Sequence, residues 1–293
     1  MGNAWVFPGQ GSQKVGMTAG VLELPGARER FAAASELLGR DLLAICEGTG
    51  DGDLADTRNT QPALFALESL LIDALKAQGR SAELVAGHSA GELVALYAAG
   101  VFDANTGLQL IKTRSELMAA AGGGAMTAVM GFDRPRLEEL VAATDGVVIA
   151  NDNSDAQVVI SGSPEAVAAV SSQLSCKRAI PLAVSGAFHS PFMAEAAGAF
   201  AQVLESVPFA DAQIPVLSNT DPTPQTEAAV LKARLTSQMM SGVRLRETMQ
   251  QLVASGINVA VEIGPGNVLS GLIKRSCPEI TTAQISTAAD LGL

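Results

Sequence analysis

Ser89 stands at the centre of Gly87-His88-Ser89-Ala90-Gly91, a G-x-S-x-G pentapeptide of the kind that presents a serine hydroxyl for nucleophilic attack. Such a hydroxyl needs a base to take its proton, and imidazole is the usual choice near neutral pH. The chain holds only two histidines. His88 adjoins the nucleophile and, at that place in a sharp turn, is expected to point away from the hydroxyl. His189, in Ser185-Gly186-Ala187-Phe188-His189-Ser190-Pro191, is then the candidate base. None of the 30 acidic residues is singled out as a third member, and a backbone carbonyl can hold an imidazole Nδ1–H equally well. The residues predict a Ser89–His189 dyad with its orienting group open.

With 29 glycines in the chain, the pentapeptide alone arises readily by chance, so its flanks decide. Residues 83–86 are a short, mostly apolar run that predicts a buried strand, and 92–99 predict a helix. Strand, tight turn and helix make a nucleophile elbow, in which the glycines permit the turn and the helix N-terminus offers N–H groups to an oxyanion.

Around the elbow, residues 5–7 predict a strand running into the turn-rich Pro8-Gly9-Gln10-Gly11-Ser12-Gln13, and helices are expected over 27–38, 62–77 and 103–121. This alternation predicts an α/β protein with helices on a mostly parallel sheet. After Gly122-Gly123-Gly124 the rhythm changes: strand 125–130, helix 134–143, strands 147–150 and 157–161, helix 164–174, strand 178–184. That is the ferredoxin-like order, expected as a subdomain (122–187) inserted into a main domain formed by 1–121 and 188–293. Helices at 191–204, 226–238 and 244–255 and strands at 214–217 and 259–263 complete the main domain.

Composition bounds the partners. Hydrophobic residues make up 48% and charged residues 17%, an ordinary globular balance, and the net charge of −11 argues against nucleic-acid binding. No apolar stretch approaches a membrane span and no signal peptide is legible, so a cytoplasmic protein is expected. Cys46, Cys176 and Cys277 fit neither a metal cluster nor a disulfide framework, and no metal site is expected.

Phe7-Pro8-Gly9-Gln10-Gly11-Ser12-Gln13, Thr60-Gln61-Pro62-Ala63, Gly87-His88-Ser89-Ala90-Gly91-Glu92, Arg114, Ile149-Ala150-Asn151-Asp152-Asn153-Ser154, Ala187-Phe188-His189-Ser190 and Glu262-Ile263-Gly264-Pro265-Gly266 follow one another in a familiar order. Over residues 5–274 the chain resembles the malonyl-CoA:acyl carrier protein transacylases and the acyltransferase domains of polyketide synthases. The resemblance implies an α/β hydrolase-like main domain with the inserted ferredoxin-like subdomain. It also implies ping-pong transfer of malonyl from malonyl-CoA to the phosphopantetheine thiol of an acyl carrier protein, through a malonyl-serine, for fatty-acid or polyketide synthesis.

Carried onto this sequence, the resemblance makes Ser89 the nucleophile and His189 the acid and base. The backbone N–H groups of Gln10 and Ala90 become the oxyanion hole, and the backbone carbonyl near Gln238 orients His189. Arg114 would pair with the malonyl carboxylate, where its planar fork gives two charge-assisted hydrogen bonds; by itself it reads rather as a surface arginine near Lys112 and Glu116. Gln61, Asn151 and Phe188 join the expected substrate-binding residues. Ala90 stands where many relatives have a larger residue, usually Leu, which predicts a slightly roomier pocket, while Phe188 before the histidine favours malonyl over methylmalonyl.

No cofactor is implied beyond the CoA thioester and the acceptor's phosphopantetheine, and a monomer is expected. Lys177-Arg178, Lys274-Arg275, Arg244 and Arg246 are candidate contacts for an acidic carrier, each also readable as a solvated surface charge. The competing readings are a serine thioesterase or acyl hydrolase, an acyltransferase for another extender such as methylmalonyl, and a non-catalytic carrier-binding module.

Overall fold

Two sheets of opposite character divide the chain. The computed structural model describes residues 2–292. From the N-terminus run β1 (Gly2–Phe7), α1 (Ala27–Leu38), α2 (Leu42–Glu47), α3 (Thr57–Ala77), β2 (Leu84–Gly87), α4 (Gly91–Ala98) and α5 (Ala104–Ala120). Then come β3 (Ala125–Phe132), α6 (Arg134–Ala142), β4 (Val147–Ser154), β5 (Gln157–Gly162), α7 (Pro164–Gln173) and β6 (Cys176–Pro181). The chain closes with α8 (Ala194–Ser206), β7 (Val216–Leu217), α9 (Ala228–Gln238), α10 (Leu245–Ala254), β8 (Ile257–Ile263), α11 (Val268–Ser276) and β9 (Thr281–Ile285).

The first sheet has the order β7-β2-β1-β8-β9, and every pairing in it is parallel. Strands β7, β2, β1 and β8 are largely covered on both faces, so their apolar residues alternate between two cores, while the edge strand β9 is buried at few positions. Trp5, Phe7, Val85, Val261 and Ile263 point into the larger core, while Ala4, Val6, Leu84, Ala86 and Ala260 point to the opposite face, where residues of α10 and α11 pack. Burying one such large side chain stabilises the fold by about 1.5–3 kcal/mol.

The second sheet, order β4-β5-β3-β6, is wholly antiparallel. Val129, Val158 and Ile160 face Leu137, Leu140, Val167 and Val170 of α6 and α7, forming a separate core. Met126, Ala128, Ala150 and Val159 project the other way and join the larger core. One face of this sheet therefore closes over the main unit, beside the carboxyl ends of β1 and β2.

Several boundaries move from their expected places. The helix expected at 62 begins at Thr57, capped by Asp56, whose carboxylate accepts the Arg58 N–H at 2.9 Å. Pro62 lies inside it without breaking it; the Arg58 carbonyl that a residue-62 N–H would have bonded instead accepts from Arg40 Nη2 at 2.8 Å. The strand expected over 178–184 runs over Cys176–Pro181, because Cys176 pairs with Phe132 and Pro181 ends the ladder. α2, α11 and β9 were not expected.

Among the described residues no helix is long and apolar enough to cross a membrane.

Candidate active site

β2 ends at Gly87 and α4 begins at Gly91, so the chain reverses within three residues and Ser89 takes φ 53. Among the described residues, Ser89 and His189 (φ 56) are the two non-glycine residues at positive φ. Each such residue costs about 1–3 kcal/mol and persists only where its surroundings impose it. The surroundings here are backbone: a Cβ on Gly87 would fall 1.9 Å from the Gly91 carbonyl oxygen, and one on Gly91 would fall 2.3 Å from that of Phe7. Both glycines of the pentapeptide are required because the elbow folds onto itself and onto the end of β1.

Asn219, two residues past β7, completes the hold. Its Oδ1 accepts the Ser89 N–H at 2.7 Å, and its Nδ2 donates to the Gly87 carbonyl at 2.5 Å. The side-chain amide thus bonds the elbow on both sides of His88, continuing the two-residue pairing of β7 with β2.

Ser89 Oγ lies 2.8 Å from His189 Nε2, and His189 Nδ1 lies 3.0 Å from the Gln238 backbone carbonyl. A carbonyl only accepts, which assigns the ring proton to Nδ1 and leaves Nε2 to accept from the serine hydroxyl. Burial pushes the His189 pKa down to about 3, and the positive charge of Arg114 adds to the effect. The imidazole is therefore neutral at ordinary pH. His88 turns away, its Nε2 3.0 Å from Asn153 Oδ1.

Arg114 projects from α5 into the site and is 0% exposed. Its Nη1 donates to Gln61 Oε1 at 2.7 Å, while Nη2 donates to Gln238 Oε1 at 2.9 Å and to Ser89 Oγ at 3.2 Å. Neutral amide oxygens thus hold the guanidinium in place without cancelling its charge. Burial draws its pKa down to about 10, opposed by Glu92, and it stays cationic at neutral pH. Lys112 and Glu116 pair with each other at 3.5 Å, away from it.

Around the dyad is a cavity of about 80 Å³ whose wall includes Gln10, Gln61, Asn151, Phe188 and Leu182. A neighbouring groove of about 170 Å³ shares Gln10, His88, Asn151 and Leu182 with it and extends to Val268. Asn151 Oδ1 is buried without a partner. Gln10 Nε2 donates to Thr57 Oγ1 at 3.1 Å, and among the described residues the backbone N–H groups of Gln10 and Ala90 make no hydrogen bond. The Ala90 methyl packs into the larger core, 3% exposed, and Ala90 is not among the residues that line the cavity.

The structure therefore gathers Ser89, His189, Gln61, Gln10, Asn151 and Phe188 on the wall of one cavity, with Arg114 and Gln238 buried behind it and hydrogen-bonded to Ser89, Gln61 and His189. Sequence reasoning missed two participants, Glu92 and Asn219. Glu92 accepts from Gln238 Nε2 at 2.6 Å and from the Asn219 N–H at 3.1 Å. A glutamate within the apolar stretch after the elbow was a legible signal for Glu92; Asn219 is distant in sequence and carried none.

A strained serine held by a neutral histidine, beside a buried cation and two backbone N–H groups that bond to no other part of the described chain, defines an acyl-transfer site. An acyl transferase domain model matches residues 4–293, and the chain belongs to that family. It is similar to the malonyl CoA-acyl carrier protein transacylase of Synechocystis, with 50% identity over 292 residues covering 100% of this chain and 99% of the relative. The crystal structure of the Synechocystis malonyl-CoA:ACP transacylase superposes with a TM-score of 0.96 at 49% identity, covering 100% and 99% of the two chains. A malonyl-transacylase solved in complex with its type II polyketide synthase acyl-carrier protein is similar at 37% identity, TM-score 0.91, covering 99% of this chain and 98% of that one.

Proposed function

We propose that this protein transfers malonyl from malonyl-CoA to the phosphopantetheine thiol of an acyl carrier protein, through a malonyl-serine at Ser89. The observation that carries the reading is the buried Arg114 guanidinium, its charge unspent, beside Ser89 and His189. The names of the similar proteins support it.

Ser89 Oγ attacks the thioester carbonyl while His189 Nε2 takes the hydroxyl proton. The backbone N–H groups of Gln10 and Ala90 receive the oxyanion, a contribution of about 10²- to 10³-fold per donor. Collapse expels the CoA sulfur, which leaves with the proton from His189. The carrier thiol then repeats these steps: it gives its proton to His189, attacks the malonyl ester and releases Ser89, which regains the proton. Throughout, Arg114 and Gln61 hold the malonyl carboxylate, Phe188 closes the acyl pocket, and the Gln238 carbonyl keeps His189 in the competent tautomer. The groove toward Val268 suits the pantetheine arm, whose amide N–H groups match the unpartnered Asn151 Oδ1.

We read the two sheets as an α/β hydrolase-like main domain (1–121 and 188–293) and a ferredoxin-like subdomain (122–187) whose meeting forms the cleft; the strand order and antiparallel pairing of the second sheet support this. The protein acts as a cytoplasmic monomer, and the thioester itself supplies the activation, with no metal or cofactor. The carrier's acidic surface is placed against the exposed Lys177, Arg178, Lys274 and Arg275. Arg244 and Arg246 fit that role less well, because Glu247 and Asp152 pair with them at 2.8 and 2.9 Å.

Two measurements follow. An imidazole of ordinary pKa, near 6.5, loses its capacity as a base as pH falls through that value. With the His189 pKa near 3, the rate of acylation at saturating malonyl-CoA is expected to stay level between about pH 8 and about pH 5; a half-loss near 6.5 would contradict the burial argument. Catalytic CoA release is likewise expected to require a holo carrier protein, beyond a single stoichiometric release. Continuous release at the same rate without carrier would make the protein a thioesterase.

A further inference from the structure

Glu92 enters the site's hydrogen-bond network without touching Ser89 Oγ, His189 or Arg114. Its side chain, on the first turn of α4, is 1% exposed, and its Oε2 accepts from Gln238 Nε2 at 2.6 Å. The same Gln238 NH₂ group also donates to the Ser89 carbonyl at 3.0 Å. Two acceptors on one side leave the Gln238 amide a single satisfied orientation. Its oxygen then faces Arg114, accepting from Nη2 at 2.9 Å and from Nε at 3.3 Å. A reversed amide would set an NH₂ group against the guanidinium and an oxygen against two oxygens, leaving buried groups on both sides unpaired. Burial raises the Glu92 pKa, but Oε2 already accepts two N–H donors, from Gln238 and from the Asn219 backbone, so that oxygen acts as an acceptor and offers the amide no second choice.

We propose that Glu92 is a positioning residue for substrate selection: by fixing the Gln238 amide, it keeps Arg114 aimed at the acyl pocket and held by uncharged oxygens. The inference rests on the reading of Arg114 as the malonyl clamp. Direct pairing with Glu92 would have spent the charge of Arg114; the interposed amide orients the guanidinium and leaves the charge for the substrate.

Two substitutions separate orientation from charge. Glu92 Oε1 and Ser218 Oγ are both buried without partners, and Ser218 faces the carboxylate. In Glu92→Gln the amide oxygen can therefore keep its place toward Gln238 and Asn219 while the NH₂ turns to Ser218. In Glu92→Met the acceptor is gone.

The test is the ratio of kcat/KM for malonyl-CoA to that for acetyl-CoA, measured on the full chain with one holo carrier protein. Glu92→Met is expected to lower the ratio by about 10-fold or more, chiefly through the malonyl KM, while Glu92→Gln keeps it within about 3-fold of the wild-type value. Should Glu92→Met fail to fold, Gln238→Leu decides in its place; it keeps the backbone carbonyl that holds His189 and is expected to lower the ratio alike. An unchanged ratio in the variant that folds overturns the proposal, and so does an equal fall in Glu92→Gln and Glu92→Met, which would make the charge of Glu92 the cause. Arg114→Ala, run in parallel, tells the two failures apart. If it lowers the ratio and Glu92→Met does not, only the positioning role is lost. If it leaves the ratio intact, the clamp reading falls and takes this proposal with it.

Discussion

Ser89→Ala is expected to reduce malonyl transfer by about five to six orders of magnitude, the scale at which removing the nucleophile of a serine enzyme is felt. The loss is chemical. Alanine tolerates φ 53 no worse than serine, and the Asn219 bond that holds the elbow is made to the backbone N–H, which survives the substitution. What disappears is the Oγ that lies 2.8 Å from His189 Nε2. His189 and Arg114 remain in place with nothing to activate. Thermal unfolding should move little, so an inactive but normally folded variant is the expected result, and a variant retaining a tenth of the wild-type rate would be incompatible with attack by Ser89.

Arg114→Ala is expected to lower kcat/KM for malonyl-CoA by about 10²- to 10⁴-fold, because two charge-assisted hydrogen bonds worth roughly 1.5–3 kcal/mol each go with the guanidinium. Acetyl-CoA, which has no carboxylate, should lose far less. Lysine should not restore selection: a compact ammonium cannot reach Gln61 Oε1 and Gln238 Oε1 together while facing a carboxylate with two donors. Initial rates with both thioesters on the two variants check this, and equal losses for malonyl and acetyl transfer would remove the clamp from the account.

How far the sequence reached depended on whether the cause was local. The elbow was legible because its requirement for glycine is written into nearby positions, where a Cβ on Gly87 or Gly91 would meet backbone oxygens at 1.9 or 2.3 Å. Four strands of the parallel sheet, β1, β2, β7 and β8, were legible as apolar runs, and the change of rhythm after Gly122 marked the start of the antiparallel sheet. α11 was not, because its first turn is capped from a distance: the Glu262 carboxylate in β8 accepts from the Leu269 and Ser270 N–H groups at 3.0 and 2.7 Å. Asn267 stands at the N-cap position but makes no side-chain capping bond, so the adjoining chain does not hold the start of that helix. β9 was missed for a similar reason, since an edge strand with burial on few positions has no strong apolar pattern.

The same distinction runs through the site. Scarcity pointed to His189, since the chain has two histidines and one adjoins the serine. Arg114, Gln61 and Gln238 came from a resemblance, because nothing in a helix arginine's own neighbourhood says that it turns inward. The link between them is the Gln238 amide, which reaches across to Glu92 146 positions away. Asn219, bonded to Gly87 and Ser89 from 132 and 130 positions away, is legible only once β7 is seen beside β2.

The central claim is a covalent malonyl group on Ser89 that waits for a carrier thiol. The most direct test is the intact mass of the protein after malonyl-CoA is added and excess removed, before and after addition of a holo carrier protein. One added malonyl group is expected on the wild type, none on Ser89→Ala, and its loss to the carrier when the carrier is supplied. An unmodified wild type, or an adduct undiminished in Ser89→Ala, would contradict it.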